Sequence, residues 1–274
     1  MQAAKLAFLG AGNMSGSIIG GLLAKDVPAE NIIATRRSEE RLAELKSQFG
    51  IITSSDNNDA VAKSDVVILG VKPQMMQDLC NEIREQVQKS KPLIVSVAAG
   101  LKSETLERWL GGDVAVVRTM PNTPSLLGCG ASGLYANSKV TDIQKELSEK
   151  LMQAVGLALW VDEEDQMDAV TAVSGSGPAY FFLAMEALQK AGESVGLSAE
   201  VAEKLAIQTA LGAARMASES EHDAAELRRR VTSPGGTTEQ ALNTFNAGGL
   251  TELYEKAVKA AANRGKELAE QLDN

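Results

Sequence analysis

Residues 5–24 read KLAFLGAGNMSGSIIGGLLA, an apolar run closed by a glycine loop that passes straight into a helical pattern. Lys5–Leu9 has the length and continuity of a buried strand. In Met14–Ala24, Ile18, Ile19, Leu22 and Leu23 fall at helical spacing. The rhythm continues outward from this unit. Asn31–Thr35 reads as a second strand, and Ser38 as the N-cap of a helix that runs from Arg41 to Phe49 and stops at Gly50. Ile51–Thr53, Val66–Val71, Leu93–Ala98, Val114–Arg118 and Gly133–Ala136 read as further strands, with a helical turn at Asp59–Lys63 and a helix at Met75–Val87 between them. This alternation predicts an α/β fold, a parallel, doubly wound sheet with helices on both faces.

From about Val161 the pattern becomes wholly helical: Gln166–Ser174, Pro178–Val195, Ala199–Glu219, Ala224–Val231, Thr238–Asn246 and Leu250–Gln271. The shift sets a boundary near Trp160–Asp165, with an α/β domain over 1–162 and an all-α domain over 163–274. The helical part is rich in Ala and short apolar residues, which pack poorly as a small domain on their own. It is therefore expected to pair with a second copy.

Composition narrows the function. In 274 residues, 36 acidic against 27 basic side chains leave a net charge of −9, which argues against a nucleic-acid partner. The hydrophobic fraction of 44% suits a globular chain with a real core. Cys80 and Cys129 share no ligand spacing and are read as small hydrophobes, and His222, the only histidine, cannot build a metal site alone, so no metal is expected. Met1–Leu9 lacks a basic region before a long apolar run, and Gly10 interrupts it. Neither a targeting segment nor a membrane span is expected, and residence in the cytoplasm follows by default.

Gly10-Ala11-Gly12-Asn13-Met14-Ser15-Gly16 lies between a strand and a helix, the context in which glycines let backbone N–H groups approach a pyrophosphate. At the end of the second strand an acidic residue would bind the ribose 2′-hydroxyl of NAD. Here stands Thr35-Arg36-Arg37-Ser38, two guanidinium groups and two hydroxyls that suit a 2′-phosphate. NADPH is expected, with NADH weaker.

Three more segments have compositions unlike helix or strand filler. Arg118-Thr119-Met120-Pro121-Asn122-Thr123-Pro124 follows a strand, where open α/β sheets place ligands. In Ser174-Gly175-Ser176-Gly177-Pro178-Ala179-Tyr180, Pro178 suits the first turn of a helix whose free N–H groups, with Ser176, would attract an anion. Val231-Thr232-Ser233-Pro234-Gly235-Gly236-Thr237-Thr238 leads into another helix as a nest suited to a carboxylate.

These segments, with Gly10–Gly16 and Gly70-Val71-Lys72-Pro73-Gln74, resemble pyrroline-5-carboxylate reductase from Leu6 to about Leu268. The resemblance implies an N-terminal Rossmann-type doubly wound sheet followed by an all-α dimerisation domain that interleaves in a homodimer and often assembles into decamers. It implies NADPH-dependent reduction of 1-pyrroline-5-carboxylate to L-proline. It assigns the pyrophosphate to Gly10, Ala11, Gly12, Asn13, Met14 and Ser15, and the adenosine ribose and its phosphate to Thr35 and Arg36, with Asn57 on the adenosine side. Val71, Lys72, Pro73, Ala98 and Ala99 would line the cofactor, and Asn122 would sit near the nicotinamide. Ser233, Gly236, Thr237 and Thr238 would bind the substrate, with Thr238 as catalytic partner of the ring nitrogen; Glu221 matches a carboxylate that faces that nitrogen across the dimer. Ser15 stands where the family usually has Gly or Ala, and Asp223 where a proline commonly follows the histidine.

Because a protonated imine can take its proton from solvent, no perturbed acid is required, and none of the three loops carries a histidine or lysine. The triplet Arg228-Arg229-Arg230 reads as a solvated helix face. Two rivals are a 3-hydroxyacid dehydrogenase and a non-catalytic NADP-binding protein. The first needs a general base, yet Ser174–Gln189 holds no lysine. The second would not need a second anion nest.

Overall fold

Eight strands, β1 (Leu6–Leu9), β2 (Ile32–Thr35), β3 (Ile52–Ser54), β4 (Val66–Leu69), β5 (Leu93–Ser96), β6 (Val116–Met120), β7 (Gly130–Ala136) and β8 (Gly156–Trp160), form one sheet in the order 3-2-1-4-5-6-7-8. The computed structural model describes residues 4–273. Central β1 explains its own sequence. Leu6 and Phe8 enter the core on one face of the sheet, Ala7 and Leu9 the core on the other, so no polar residue fits the strand. Helix α1 (Asn13–Leu23) covers the Phe8 side with Ile18, Ile19 and Leu22, all fully buried. Each such side chain contributes on the order of 1.5–3 kcal/mol by leaving water.

On the opposite face, α4 (Met76–Ser90) presents Met76, Leu79, Cys80, Ile83 and Val87, the stripe of an amphipathic helix. Two short helices complete the first half, α2 (Glu39–Phe49), capped by the Ser38 side chain and closed by left-handed Gly50, and α3 (Asn57–Ala62), capped by Asp56.

The expected parallel sheet is broken once: β6 and β7 are antiparallel. The stretch from Met120 to Gly130 is too short for the crossover of about a dozen residues that a parallel neighbour needs. Strand β8 was not expected. It alternates, with Ala158 buried and Leu157 and Leu159 exposed, as a half-covered edge strand does. Helices α5 (Ser103–Trp109) and α6 (Asp142–Gln153) were also not expected, although Thr141 and Gln144 form a full capping box at the start of α6.

The chain divides into two compact units: residues through Ser176 together with those from Ala260 on, and Gly177–Lys259. The division thus lies beyond the anticipated boundary near 162. Helix α7 (Gln166–Val170) stays with the sheet because Val170 packs over Gly133 of β7, where any Cβ would collide with it. The end of α12 (Leu250–Asp273) belongs there as well: Gly265 lies against Asp168 and Leu272 against Gly100.

The second unit holds α8 (Gly177–Ser194), α9 (Ala199–Glu219), α10 (Ala224–Arg230), α11 (Thr237–Ala247) and the first part of α12. Helices α8 and α9 approach closely through Gly192 and Ala202. Among the described residues of this unit, the buried apolar side chains are Ala202 and Ala206, whereas Phe181, Phe182, Leu211, Phe245 and Leu253 are exposed. So much bare apolar surface marks an interaction face.

Burial pushes the Cys80 thiol up to about 12, so it is a packing group. Cys129, read with it as a small hydrophobe, is exposed. Among the described residues no helix is long and apolar enough to cross a membrane, and no group of three His, Cys, Asp or Glu side chains could hold a metal ion.

Candidate functional site

The glycine loop sits at the carboxyl end of β1. Gly10 has φ +78°, and a Cβ there would collide with Val71. Only glycine fits both the left-handed backbone and the close approach. The N–H groups of Gly10 and Ala11 both donate to the Thr35 carbonyl, at 3.1 Å, tying the loop to the end of β2. Gly12 then begins α1 with no side-chain cap. The first-turn amides of Asn13, Met14 and Ser15 are left open, as a pyrophosphate requires.

Ser15 is buried, its hydroxyl unpartnered among the described residues, and it faces Gly70, where a Cβ would strike its Oγ. That glycine makes room for the serine against the sheet.

A cleft of about 440 Å³ opens beside this loop, between the ends of β1, β2 and β4. Gly10, Gly12, Thr35, Arg36, Asn57, Val71 and Lys72 line it, together with Arg37 and Ser38. The Arg36 guanidinium donates to the Ala11 carbonyl at 3.0 Å and so lies over the glycine loop. Thr35 is buried and donates its hydroxyl to Asn57 Oδ1 at 2.6 Å. The donor set therefore fits a dinucleotide: open amides at a helix start for the diphosphate, and two guanidinium groups beside the ribose position.

Lys72 precedes a 3-10 turn, Pro73–Met75, that leads from β4 into α4. Ala98 is buried, its N–H donating to Ser96 Oγ at 3.3 Å, while Ala99 is exposed. Asn122 is committed to the fold. Its Nδ2 donates to the Ser174 carbonyl at 2.9 Å and its Oδ1 accepts from the Ala131 N–H at 2.9 Å. It thereby ties the loop after β6 to a π-helical turn, Thr171–Gly175. The N–H of Ser176 donates to the Thr171 carbonyl within this turn, and Ser176 itself has helical dihedrals. The 174–180 stretch is thus entered from a helical turn, not opened as the free helix start that its sequence suggested.

A second polar centre lies behind these loops. Arg118, at 7% exposure, meets Glu164 at 2.8 Å. Glu164 also accepts from the Ser103 N–H and hydroxyl, at 2.5 and 2.8 Å, capping α5. Sequence reading singled out Arg118 only as part of its loop and missed Glu164, which sits in an acidic run (Asp162–Asp165) that reads as solvated surface.

In the second unit, Gly235 has φ +70° and its N–H donates to the Glu239 carboxylate at 2.8 Å, while the Gly236 N–H donates to the Ser233 carbonyl at 3.0 Å. The two glycine amides expected to form the nest are therefore engaged within the turn. The open donors lie one step on, at Thr237, Thr238 and Glu239, because α11 has no side-chain cap. The Thr238 hydroxyl makes no hydrogen bond among the described residues.

Glu221 is exposed between α9 and α10. Asp223 caps α10 by accepting the Glu226 N–H at 2.8 Å, which explains its presence where a proline is common. Arg229 and Arg230 pair with Glu226 on the surface, and their hydrogen bonds hold its carboxyl down to about 2.

The family described as pyrroline-5-carboxylate reductase dimerisation matches residues 164–268, and that described as NADP oxidoreductase, coenzyme F420-dependent, matches residues 5–100. The pyrroline-5-carboxylate reductase of Pseudomonas aeruginosa is 55% identical over 272 residues, covering 99% of each chain. The solved structure of a pyrroline-5-carboxylate reductase from Coxiella burnetii superimposes with a TM-score of 0.95 at 48% identity, covering 97% of this chain and 98% of that one. A pyrroline carboxylate reductase from Plasmodium falciparum with NADP bound gives 0.84 at 29% identity, covering 98% and 99%. With identity this high over nearly the whole length, the chain belongs to the pyrroline-5-carboxylate reductase family.

Proposed function

We propose that this chain reduces 1-pyrroline-5-carboxylate to L-proline with NADPH, the closing step of proline biosynthesis. When bound, the cofactor supplies a hydride to the imine carbon; the protein supplies position and electrostatics. Gly10, Ala11, Gly12, Asn13, Met14 and Ser15 surround the diphosphate, and Thr35, Arg36 and Asn57 the phosphorylated ribose. Val71, Lys72, Pro73, Ala98 and Ala99 line the remainder. Asn122 acts from behind, by holding the Ser174 turn in place.

The substrate carboxylate rests on the first-turn amides of α11 beside Ser233, Gly236 and Thr237, and the Thr238 hydroxyl contacts the ring nitrogen. Ser176 and Glu221 complete the substrate surroundings, Glu221 from a second copy of the chain. The observation that carries this reading is the uncapped start of α11, which opens directly on the hydroxyl-bearing Thr237 and Thr238. A chain that only bound a dinucleotide would have no use for it. The apolar face of Gly177–Lys259 supports a homodimer, with assembly toward a decamer as its extension, working in the cytoplasm.

The test is direct: NADPH consumption followed by absorbance, with and without 1-pyrroline-5-carboxylate, and proline identified as product. NADPH binding without consumption would leave a cofactor-binding protein and remove the enzyme. A second measurement concerns the cofactor. A hydrogen bond to a charged group contributes about 1.5–3 kcal/mol, and Arg36→Ala also removes one of two adjacent cations. The variant is expected to weaken NADPH about tenfold while NADH changes little; equal losses for both would remove Arg36 from 2′-phosphate recognition.

A further inference from the structure

We propose that Glu82 sets the limit on how strongly this chain prefers a 2′-phosphorylated nucleotide, an inference that rests on reading the cleft as the adenosine site of NADPH. Glu82 projects from α4 and is the only acidic residue among the described residues lining that cleft; Arg36, Arg37 and Lys72 line it too. Its Oε1 accepts from Asn57 Nδ2 at 2.9 Å, and Asn57 Oδ1 accepts from the Thr35 hydroxyl at 2.6 Å. A carboxylate can only accept and a hydroxyl can donate, so this chain of two bonds dictates which way the Asn57 amide points. One amide hydrogen of Asn57 and the second oxygen of Glu82 have no partner among the described residues.

Doubly wound folds that use NAD place a carboxylate at the end of the second strand, where it accepts the ribose 2′-hydroxyl. Thr35-Arg36-Arg37 occupies that place here, and the structure returns a carboxylate to the same cleft from a different element, two hydrogen bonds from Thr35. Glu82 is acceptor-only. It can take the hydrogen of a 2′-hydroxyl, whereas a 2′-phosphate offers it nothing but like charge. The two arginines act in the opposite sense. Preference is the difference between the two interactions, so Glu82 permits NADH and restrains selectivity for NADPH.

Glu82→Gln keeps an acceptor for Asn57 Nδ2 while removing the charge, and Glu82 is exposed on a surface helix, so the fold tolerates the change. The experiment is titration calorimetry of the intact protein with 2′,5′-ADP and with 5′-AMP, probes that carry no nicotinamide. In Glu82→Gln, 2′,5′-ADP is expected to bind about three- to tenfold tighter with 5′-AMP unchanged or weaker, a range set by one unit charge acting through a solvent-rich cleft. The gain is expected to shrink as salt is added. Glu82→Ala, which also releases Asn57, is expected to bind both probes more weakly than Glu82→Gln.

A ratio of affinities within twofold of wild type in Glu82→Gln, or weaker binding of 2′,5′-ADP, overturns the inference while leaving the dinucleotide reading intact. If the wild-type protein binds neither probe, the dinucleotide reading of the cleft falls and the inference with it.

Discussion

Arg118→Met is expected to destabilise the chain by about 3 kcal/mol, measured by urea unfolding, the lower end of the 3–5 kcal/mol seen when one partner of a buried ion pair is removed. Arg118 is buried and Glu164 nearly so, with side-chain exposures of 8% and 18%. Removing the guanidinium leaves Glu164 with the Ser103 hydrogen bonds but no positive partner. Asp168 suffers too. Burial raises its pKa, and Arg118 is the first charge that opposes this, followed by Lys266. Without Arg118 the folded-state pKa of Asp168 rises further above its unfolded value. The folded state then holds the proton more tightly, so the variant recovers stability as pH falls from neutral toward the carboxylate range. Wild type is expected to show less of this recovery. Pairing the change with Glu164→Leu, which removes the orphaned carboxylate, is expected to restore part of the loss. A loss under about 1 kcal/mol, as for exposed pairs, would mean that this pair behaves as a surface salt bridge.

Thr238→Ala is expected to lower kcat about ten- to thirtyfold while NADPH affinity holds. A contact aimed at developing charge typically contributes about 2.7–4 kcal/mol, near or above a hundredfold. Hydride arrival at an iminium neutralises charge instead, so the smaller figure applies. The geometry suits the role, since the hydroxyl has no hydrogen-bond partner among the described residues and lies in the uncapped first turn of α11. Alanine is a better helix former than threonine, so loss of the helix is not expected. Thr238→Val, which keeps the shape without the hydroxyl, should match Thr238→Ala, and Thr238→Ser should recover most of the activity. Turnover at the wild-type rate in both Ala and Val variants would take Thr238 out of the reaction.

Much of the fold could be read locally. The apolar run at Leu6–Leu9, the helix over Met75–Val87, and the caps at Ser38 and Gly50 are properties of neighbouring residues, and all appear within a few residues of where expected. Strand β8 escaped because a short alternating segment beside a helical run carries little signal of its own. The candidate site was legible as far as its backbone: glycines at 10 and 12, arginines at 36 and 37, and hydroxyls at 237 and 238. Its hydrogen-bond assignments were not. That Glu239 and Ser233 consume the amides of Gly235 and Gly236, or that Asn122 is occupied by Ser174 and Ala131, depends on side chains and loops choosing among several partners.

Sequence by itself determined the alternation of strands and helices from β1 to β5, the glycine turn at Gly10 and the basic end of β2, because periodicity, backbone strain and charge are set within a few residues of each other. Tertiary structure alone decided that Glu164 meets Arg118 and Ser103 and that Glu82 reaches Asn57, joining elements far apart in the chain. It also decided that α7 and the end of α12 belong with the sheet. Each of these contacts forms only once the sheet and its helices have packed, and no local preference records which charged side chain will then lie across from another.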